Sequence, residues 1–301
     1  MAKTAATKDR IGLNCALSTP FGKGGEIDLV RLVAHAKWVL ANGCDGITVF
    51  GTTGEGASIG VSERNRVFGA LAANGFDMRK QVIAGASASA LEDLLAQMRA
   101  AYDADCRAIL LAPPYYFAGV GDDGLFAFFS DLFTRLGAQL RDVILYHIPG
   151  MTRVDISIGL VKRLAAAFPG AVIGVKDSNG KWEDTERRLT ELKDMQILVG
   201  DERQLARAVR MGGSGSICGM ANIAPDILRP LAIEGREDPR VIAMVDALLA
   251  YSFMSAIKAM IAARTGDAGW SVMRAPLAAL GAKEAKALAA ALGTIQSAKA
   301  G

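Results

Sequence analysis

The 301-residue sequence predicts an α/β protein, a (β/α)8 TIM barrel with a small C-terminal helical extension. Eight short runs rich in apolar residues are separated mostly by stretches with helical periodicity. Apolar strands that alternate with helices favour parallel pairing, because the helices then cover the sheet. Eight such units within about 220 residues fit a closed barrel better than an open doubly wound sheet, which normally has fewer strands.

The predicted strands follow one another at intervals typical of strand–helix units. The first is not followed by the glycine-rich turn that opens a dinucleotide site. Between the third and fourth, the segment Leu91–Tyr102 has apolar residues at i, i+3, i+4 and i+7, which indicates an amphipathic helix. The eight predicted strands are Ile11–Pro20, Gly46–Gly51, Gln81–Ala86, Ala108–Ala112, Val143–Ile148, Ala171–Lys176, Gln196–Gly200 and Gly215–Met220.

The pattern changes from about Pro225 onward, where strand-like runs stop and helical ones continue through Leu248–Met254 and Lys283–Leu292. No flexible linker precedes this part of the chain. We therefore expect a catalytic barrel over residues 10–224 and a helical region over residues 225–301. Residues 1–9 have no evident role, and we expect them to be disordered.

Composition excludes several classes of protein. The net charge is +3, from 34 basic and 31 acidic residues, and the sequence has no clustered basic patch for nucleic acid. No run reaches the roughly 18 uninterrupted apolar residues of a membrane span, and the N-terminus lacks the apolar stretch of a signal peptide. We expect a cytoplasmic protein that binds neither membrane nor nucleic acid.

The four cysteines, Cys15, Cys44, Cys106 and Cys218, occur singly and are predicted to be small buried thiols rather than disulfide partners. The chain has only two histidines, which argues against a histidine-based metal centre. No metal and no organic cofactor is expected.

Two predicted strand ends carry a reactive pair. Tyr146 closes the fifth run and Lys176 the sixth, thirty residues later, which is about one strand–helix–strand unit. On neighbouring parallel strands the two side chains would lie at equivalent heights, roughly 5 Å apart. An amine that an apolar wall shields from water, beside a phenol that moves protons, suits carbonyl chemistry through a Schiff base. The alternative is that both side chains simply extend into solvent.

Other strand ends offer supporting groups. Glycines and two hydroxyls in Gly51–Glu55 favour anion binding at a helix N-terminus, although the same residues suit a tight turn and helix cap. Two adjacent tyrosines follow the fourth strand, where aromatic packing is the simpler interpretation. Thr52 and one of these tyrosines are candidates to relay protons to Tyr146.

Five segments, in this order, resemble the dihydrodipicolinate synthase / N-acetylneuraminate lyase superfamily: Gly51–Glu55, Tyr115–Tyr116, Tyr146-x-x-Pro149, Val175–Asp177 and Gly200–Glu202. The resemblance covers roughly residues 10–225, and the helical tail is also typical. It implies a class I aldolase-type lyase in which Lys176 forms a Schiff base with pyruvate or a pyruvate-like 2-oxo acid.

The same resemblance implies further roles. Tyr146 would be the proton donor and acceptor, with Thr52 and Tyr116 completing its relay. In the superfamily the equivalent of Tyr116 often comes from a neighbouring subunit, which implies a homodimer or homotetramer. Thr53 would hold the pyruvate carboxylate, and the backbone of Ile217 would line the pyruvate pocket.

One departure bears on the second substrate. The synthase branch has an arginine two residues after the strand-5 proline, where it grips the carboxylate of aspartate semialdehyde, and this sequence has Met151 there. A thioether cannot replace a guanidinium that binds a carboxylate through two hydrogen bonds. Arg153 lies two residues further on and would need an altered turn to reach the position of the synthase arginine.

The sequence matches the N-acetylneuraminate lyase branch of the superfamily in part. Asp201 and Glu202 correspond to its pair that binds sugar hydroxyls, and Ser178 supplies a hydroxyl near the lysine, unless it is only a helix N-cap. Gly219 replaces the serine of sialic acid lyases. We therefore expect a pyruvyl substrate of the sugar-acid or hydroxy-oxo-acid type. A true 4-hydroxy-tetrahydrodipicolinate synthase and a non-catalytic 2-oxo acid binder are the alternatives.

Overall fold

Eight parallel strands form a closed barrel in chain order, as predicted, in a computed structural model that describes residues 10–297. The expected disorder of residues 1–9 concerns a segment outside the described residues. Each observed strand lies within or overlaps its predicted run. The strands are β1 (Gly12–Ala16), β2 (Gly46–Val49), β3 (Val82–Ala86), β4 (Ala108–Leu111), β5 (Val143–His147), β6 (Val172–Asp177), β7 (Gln196–Val199) and β8 (Gly215–Cys218).

Helices surround the barrel and continue beyond it. The predicted amphipathic segment at Leu91 forms a helix whose buried residues repeat at helical spacing. The helices are α1 (Leu29–Ala41), α2 (Val61–Ala73), α3 (Met78–Gln81), α4 (Leu91–Asp103), α5 (Asp122–Leu136), α6 (Pro149–Thr152), α7 (Ile158–Ala167), α8 (Trp182–Glu191), α9 (Leu205–Arg210), α10 (Pro225–Glu234), α11 (Pro239–Leu249), α12 (Phe253–Thr265) and α13 (Ala282–Ser297).

Strand residues alternate between two cores. The outward side chains pack beneath the helices in the large core, which includes Val143 and Leu145. The inward ones, such as Ile144, Tyr146 and Ile217, fill the barrel itself. This alternation follows from the two-residue period of a strand. It decides which side chains of β5 and β6 face the barrel interior.

The C-terminal part of the chain is helical, as the sequence indicates. Helix α10 packs against β1 and so covers the barrel, whereas α11, α12 and α13 pack mainly on one another and on the barrel's edge. The predicted helical run Leu248–Met254 contains a break, because α11 ends at Leu249 and α12 begins at Phe253. The boundary between the two regions stays a prediction.

Helices α11 and α12 are both rich in apolar residues. Among residues 10–297, no single helix is both long and apolar enough to cross a membrane. Helices α11 and α12 reach that length and apolarity only as a pair, bent by 113° at the break.

The cysteines are packing residues. All four thiols are buried and free, as predicted. In the described part of the chain, no group of three or more His, Cys, Asp or Glu side chains is arranged to hold a metal ion.

Candidate active site

A lysine, a tyrosine and a threonine meet at the C-terminal ends of the strands. Lys176 Nζ donates a hydrogen bond to the Tyr146 hydroxyl at 3.2 Å, and the Thr52 hydroxyl lies 3.3 Å from the same oxygen. Lys176 Nζ also lies 4.2 Å from the centroid of the tyrosine ring. Lys176 and Tyr146 are each 5% exposed, so neither side chain extends into solvent.

Strand pairing brings the two residues together. Tyr146 on β5 is the register partner of Lys176 on β6, and both side chains point into the barrel. His147 and Asp177, the next pair along, point outward. There the buried His147 accepts a hydrogen bond from the backbone of Ile156, and burial lowers its pKa to about 4. His147 therefore packs outside the barrel interior, away from Lys176.

A glycine on β7's C-terminal side makes room for the lysine. A Cβ built on Gly200 would lie 1.9 Å from the Ser178 hydroxyl oxygen and 3.2 Å from Lys176 Cε. A side chain at position 200 would therefore force the Ser178 hydroxyl to move and Lys176 Cε to shift by a few tenths of an ångström. The absence of a Cβ therefore lets Ser178 and Lys176 occupy one small space, a role that the sequence analysis missed.

A neighbouring charge and hydrogen bonds lower the pKa of Tyr146. Burial raises the pKa of Tyr146, but the positive charge of Lys176 and hydrogen bonds from Thr52, Lys176 and Ser178 lower it. The net result is a pKa below the ordinary value of 10. A phenol with a lowered pKa gives up and recovers a proton more readily near neutral pH.

The loop after β2 presents Thr52 under backbone constraint. Phe50, immediately before it, is buried and has a φ of 60°, a left-handed conformation that bulky residues rarely adopt. Arg64 stabilises this conformation: it lies over the Phe50 ring and donates hydrogen bonds to three backbone carbonyls of the surrounding segments. Strained backbone held this firmly is common at functional sites.

The far side of the same loop is tied to the C-terminal helices. Glu55 forms an ion pair with Lys258 of α12, and the two side chains are 0% and 1% exposed. The backbone N–H of Arg274 donates to the other oxygen of Glu55 at 3.2 Å. The loop that carries Thr52 is therefore attached to residues about two hundred positions later in the chain.

A cavity of about 360 Å³ opens beside the hydroxyls of Thr52 and Tyr146. Lys176 does not line it directly and lies next to its wall, in contact with Tyr146. Most of the lining is apolar. The apolar side chains include Leu110, Ala112, Ile148, Met151, Met254 and Leu277.

Comparisons with known proteins identify the family. The model of the Dihydrodipicolinate synthetase family matches residues 10–295. The chain belongs to the dihydrodipicolinate synthetase family. Its members are class I lyases, and the chain is accordingly a lyase.

Relatives agree with this membership. A crystal structure of dihydrodipicolinate synthase from Agrobacterium tumefaciens has a TM-score of 0.92 and 44% sequence identity, covering 95% of this chain and 99% of that one. A protein of Chloroflexus aurantiacus named as an uncharacterized DapA-like lyase is 33% identical, over 93% of this chain and 95% of its own. A 4-hydroxy-tetrahydrodipicolinate synthase of an Anaeromyxobacter species is 34% identical, over 75% and 74% respectively.

Met151, which the resemblance aligns with the synthase arginine, lies on the short helix α6. It is 60% exposed and contributes to the cavity wall. Arg153 ends that helix with a φ of 56°, is exposed, and does not line the cavity. The turn therefore points Arg153 to a different place from Met151.

Arg274 is the cationic side chain in the cavity wall. Its guanidinium donates to the carbonyls of Gly25 and Ser58 and forms an ion pair with Glu63. These partners use all five of its N–H groups. Arg274 therefore has no donor left for a substrate carboxylate.

The two tyrosines after β4 differ in position. Tyr115 lines the cavity, whereas Tyr116 is 80% exposed and does not. Within one chain, Tyr116 is thus not brought to the Lys176 site. Its place in a relay stays a prediction.

The remaining predicted binding residues lie around the strand ends. Thr53 is buried, and its hydroxyl lies close to Gly219. Ile217 is fully buried inside the barrel. Asp201 binds Arg203 through both carboxylate oxygens, at 3.0 and 2.7 Å. Glu202 is buried, with a raised pKa caused chiefly by burial, and accepts from the backbone of Met220.

Proposed function

We propose that this protein joins pyruvate or a pyruvate-like 2-oxo acid to an aldehyde, or cleaves the product, through a Schiff base on Lys176. The observation that carries the proposal is the buried amine 3.2 Å from the Tyr146 hydroxyl, with Thr52 at 3.3 Å on the other side. A non-catalytic binder of 2-oxo acids has no use for this chain of exchangeable protons.

The steps follow from this geometry. The Lys176 amine attacks C2 of the 2-oxo acid, and water leaves as the imine forms. Tyr146 gives its proton to the departing hydroxyl in that step, and the resulting phenolate takes a proton from C3. The enamine so formed attacks the aldehyde carbon. The aldehyde oxygen receives a proton from Tyr146, and water then hydrolyses the imine. The products are a 4-hydroxy-2-oxo acid and the free amine.

The residues near Lys176 have complementary roles in this proposal. Thr52 passes protons to and from Tyr146, and Tyr116 of a neighbouring subunit extends the relay in a homodimer or homotetramer. Thr53 holds the carboxylate of the 2-oxo acid, and the backbone of Ile217 lines its pocket. Ser178, whose hydroxyl helps to lower the pKa of Tyr146, contacts the substrate.

Borohydride trapping tests the proposal. Reduction in the presence of pyruvate is expected to leave a pyruvyl adduct on the peptide that contains Lys176, read by peptide mass mapping. Lys176→Arg retains the charge and should give no adduct, whereas the exposed Lys181→Arg should label like wild type. Absence of an adduct in the wild-type protein would end the Schiff-base proposal.

The aldehyde is proposed to be other than aspartate semialdehyde. Met151 offers no charge for the semialdehyde's carboxylate, Arg153 lies outside the cavity, and Arg274 is occupied by protein oxygens. Losing a charged hydrogen bond of this kind costs about 2–4 kcal/mol of binding.

The second candidate is a true 4-hydroxy-tetrahydrodipicolinate synthase, favoured by the names of relatives that are 34% and 44% identical. Turnover of pyruvate with aspartate semialdehyde distinguishes the two. A KM in the ordinary range of about 1 μM to 1 mM for the semialdehyde would establish the synthase and contradict the argument from Met151.

A further inference from the structure

We infer that the aldehyde at this site has an apolar substituent of about the size of one ring, rather than a hydroxylated or charged chain. The inference rests on the proposed function and narrows its second substrate. It begins with the cavity beside Thr52 and Tyr146, where the part of the substrate beyond the reacting carbons must lie.

The polar side chains in the cavity wall are almost all bonded within the protein. Ser58 donates to the carbonyl of Glu55, and Thr152 donates to that of Ile148. Glu55 is paired with Lys258, and the N–H groups of Arg274 are occupied. A substrate carboxylate placed against these groups would lose water and find no free donor, and a substrate hydroxyl could donate to them but would find no donor for its own oxygen.

Few hydroxyls remain for a substrate. Thr52 and Tyr146 belong to the reacting end, so the wall beyond them offers the hydroxyls of Ser87 and Tyr115 among the described residues. Tyr115 is 41% exposed and lies toward solvent. A sugar-like chain has several hydroxyls to satisfy, and each one left unpaired weakens binding by about tenfold.

The strand-8 side of the site is closed by an aromatic ring. A Cβ built on Gly219 would lie 2.4 Å from Cε1 of Phe253, so the ring fills the space that a side chain at 219 would need. A serine hydroxyl is thereby replaced by an aromatic edge. Asp201, the acidic residue expected to bind sugar hydroxyls, has both oxygens bound to Arg203.

The volume sets the size of the substituent. The cavity measures about 360 Å³. Benzene fills a dry apolar cavity of about 150 Å³. One ring and the three carbons of pyruvate therefore fit together in this volume.

The experiment compares aldehydes on the intact protein. Pyruvate is supplied with benzaldehyde, glyceraldehyde or aspartate semialdehyde, and kcat/KM is measured by chromatography of the 4-hydroxy-2-oxo acid. We expect kcat/KM for benzaldehyde to exceed the other two by about tenfold or more. Preference for glyceraldehyde or the semialdehyde, or no turnover of benzaldehyde, overturns the inference.

Borohydride trapping with pyruvate on the same preparation distinguishes failure of the apolar-substituent inference from failure of the Schiff-base proposal. An adduct at Lys176 without preference for benzaldehyde refutes the apolar substituent and leaves the Schiff-base function intact. No adduct refutes the proposed function itself, and the inference fails with it.

Two methionine variants test whether this cavity wall contacts the substituent of the aldehyde. Met254→Gln adds an amide of similar length to the cavity wall, and we expect kcat/KM for benzaldehyde to fall about tenfold after normalisation to trapped pyruvate. Met211→Gln makes the same change at an exposed position outside the cavity and should leave kcat/KM unchanged. Equal effects of the two variants would contradict the assignment of this wall to the aldehyde.

Discussion

At the scale of single residues, the site depends on small differences in what each position presents. Lys176 and Tyr146 are separated from solvent by strand packing, and their neighbours determine the lysine's position and the tyrosine's acidity. Gly200 matters because it lacks a Cβ, and Met151 because it lacks a charge. Each of these differences predicts the result of one substitution.

Gly200→Ala should lower kcat by about 10- to 100-fold, because its Cβ would displace the Ser178 hydroxyl and press on Lys176 Cε. Single-turnover kinetics with pyruvate measures the effect. Gly69→Ala is the matched control: it lies in α2 with open space around its Cβ and should stabilise the protein by about 0.5–1 kcal/mol. Wild-type kcat in Gly200→Ala would contradict the crowding argument.

Met151→Arg should improve kcat/KM for aspartate semialdehyde by about 30-fold or more, because a guanidinium binds a carboxylate through two hydrogen bonds. Met151→Lys supplies the charge without the paired donors and should gain much less. Steady-state kinetics with the three proteins checks both outcomes. Equal gains would show that charge alone is needed.

Thr52→Val tests the origin of the lowered pKa of Tyr146. The Thr52 hydrogen bond lowers that pKa, so its removal should move the alkaline limb of the pH–rate profile to higher pH. In the wild-type protein this limb should lie below pH 10, because activity falls as the phenol ionises.

Ser58→Ala serves as the control for Thr52→Val. Ser58 lines the same cavity and donates to the Glu55 carbonyl rather than to Tyr146. Its profile should keep the wild-type limb. A shift common to both variants would assign the limb to another group.

At the scale of elements, the loop after β2 is held from two directions. Arg64 of α2 bonds to its backbone carbonyls, and burial lowers the pKa of this arginine to about 10. On the other side, Glu55 binds Lys258 of α12. The C-terminal helices thus support the loop that presents Thr52 to Tyr146.

Lys258→Met should destabilise the protein by about 3–5 kcal/mol, because it leaves the Glu55 carboxylate buried without its partner. The double variant with Glu55→Gln should lose less, giving a coupling energy in urea unfolding. Lys162→Met removes the partner of Glu191 in an exposed pair and should change stability by at most about 1 kcal/mol. Similar losses at the two lysines would contradict the role of burial.

At the scale of the whole molecule, one chain contains Lys176, Tyr146 and Thr52 but holds Tyr116 outside the site. Tyr115, Tyr116 and Phe117 are 41%, 80% and 60% exposed, a continuous aromatic segment beside the cavity mouth. If Tyr116 serves a neighbouring subunit, two inactive variants should complement each other when mixed.

Tyr116→Phe and Lys176→Ala are each expected to lose at least about tenfold in kcat. Mixed dimers then pair the lysine of one chain with the Tyr116 of the other, and random reassembly should restore about a quarter of wild-type activity. Mass photometry of the mixture confirms the assembly. Failure of mixed dimers to regain activity would place Tyr116 outside the relay.

Local pattern was sufficient for the fold and for the central pair of the site. A two-residue period places Tyr146 inward and His147 outward, and the length of one strand–helix–strand unit sets Lys176 beside Tyr146. Thr52 follows the end of β2, and the C-terminal ends of parallel barrel strands lie on the same face, so its position near Tyr146 could also be predicted. The run Leu248–Met254 shows the limit, because a break between two helices has no strong local signal there.

Contacts between distant parts of the chain were decided only by the tertiary structure. Glu55 was visible within a motif, yet its partner Lys258 lies some two hundred residues away, and nothing local indicates that Arg274 enters the cavity wall. Whether a charged side chain is free or already paired depends on such contacts. The sequence by itself therefore determined the barrel and the pairing of Lys176 with Tyr146, whereas the polarity of the cavity beside them depended on which distant groups neutralise one another.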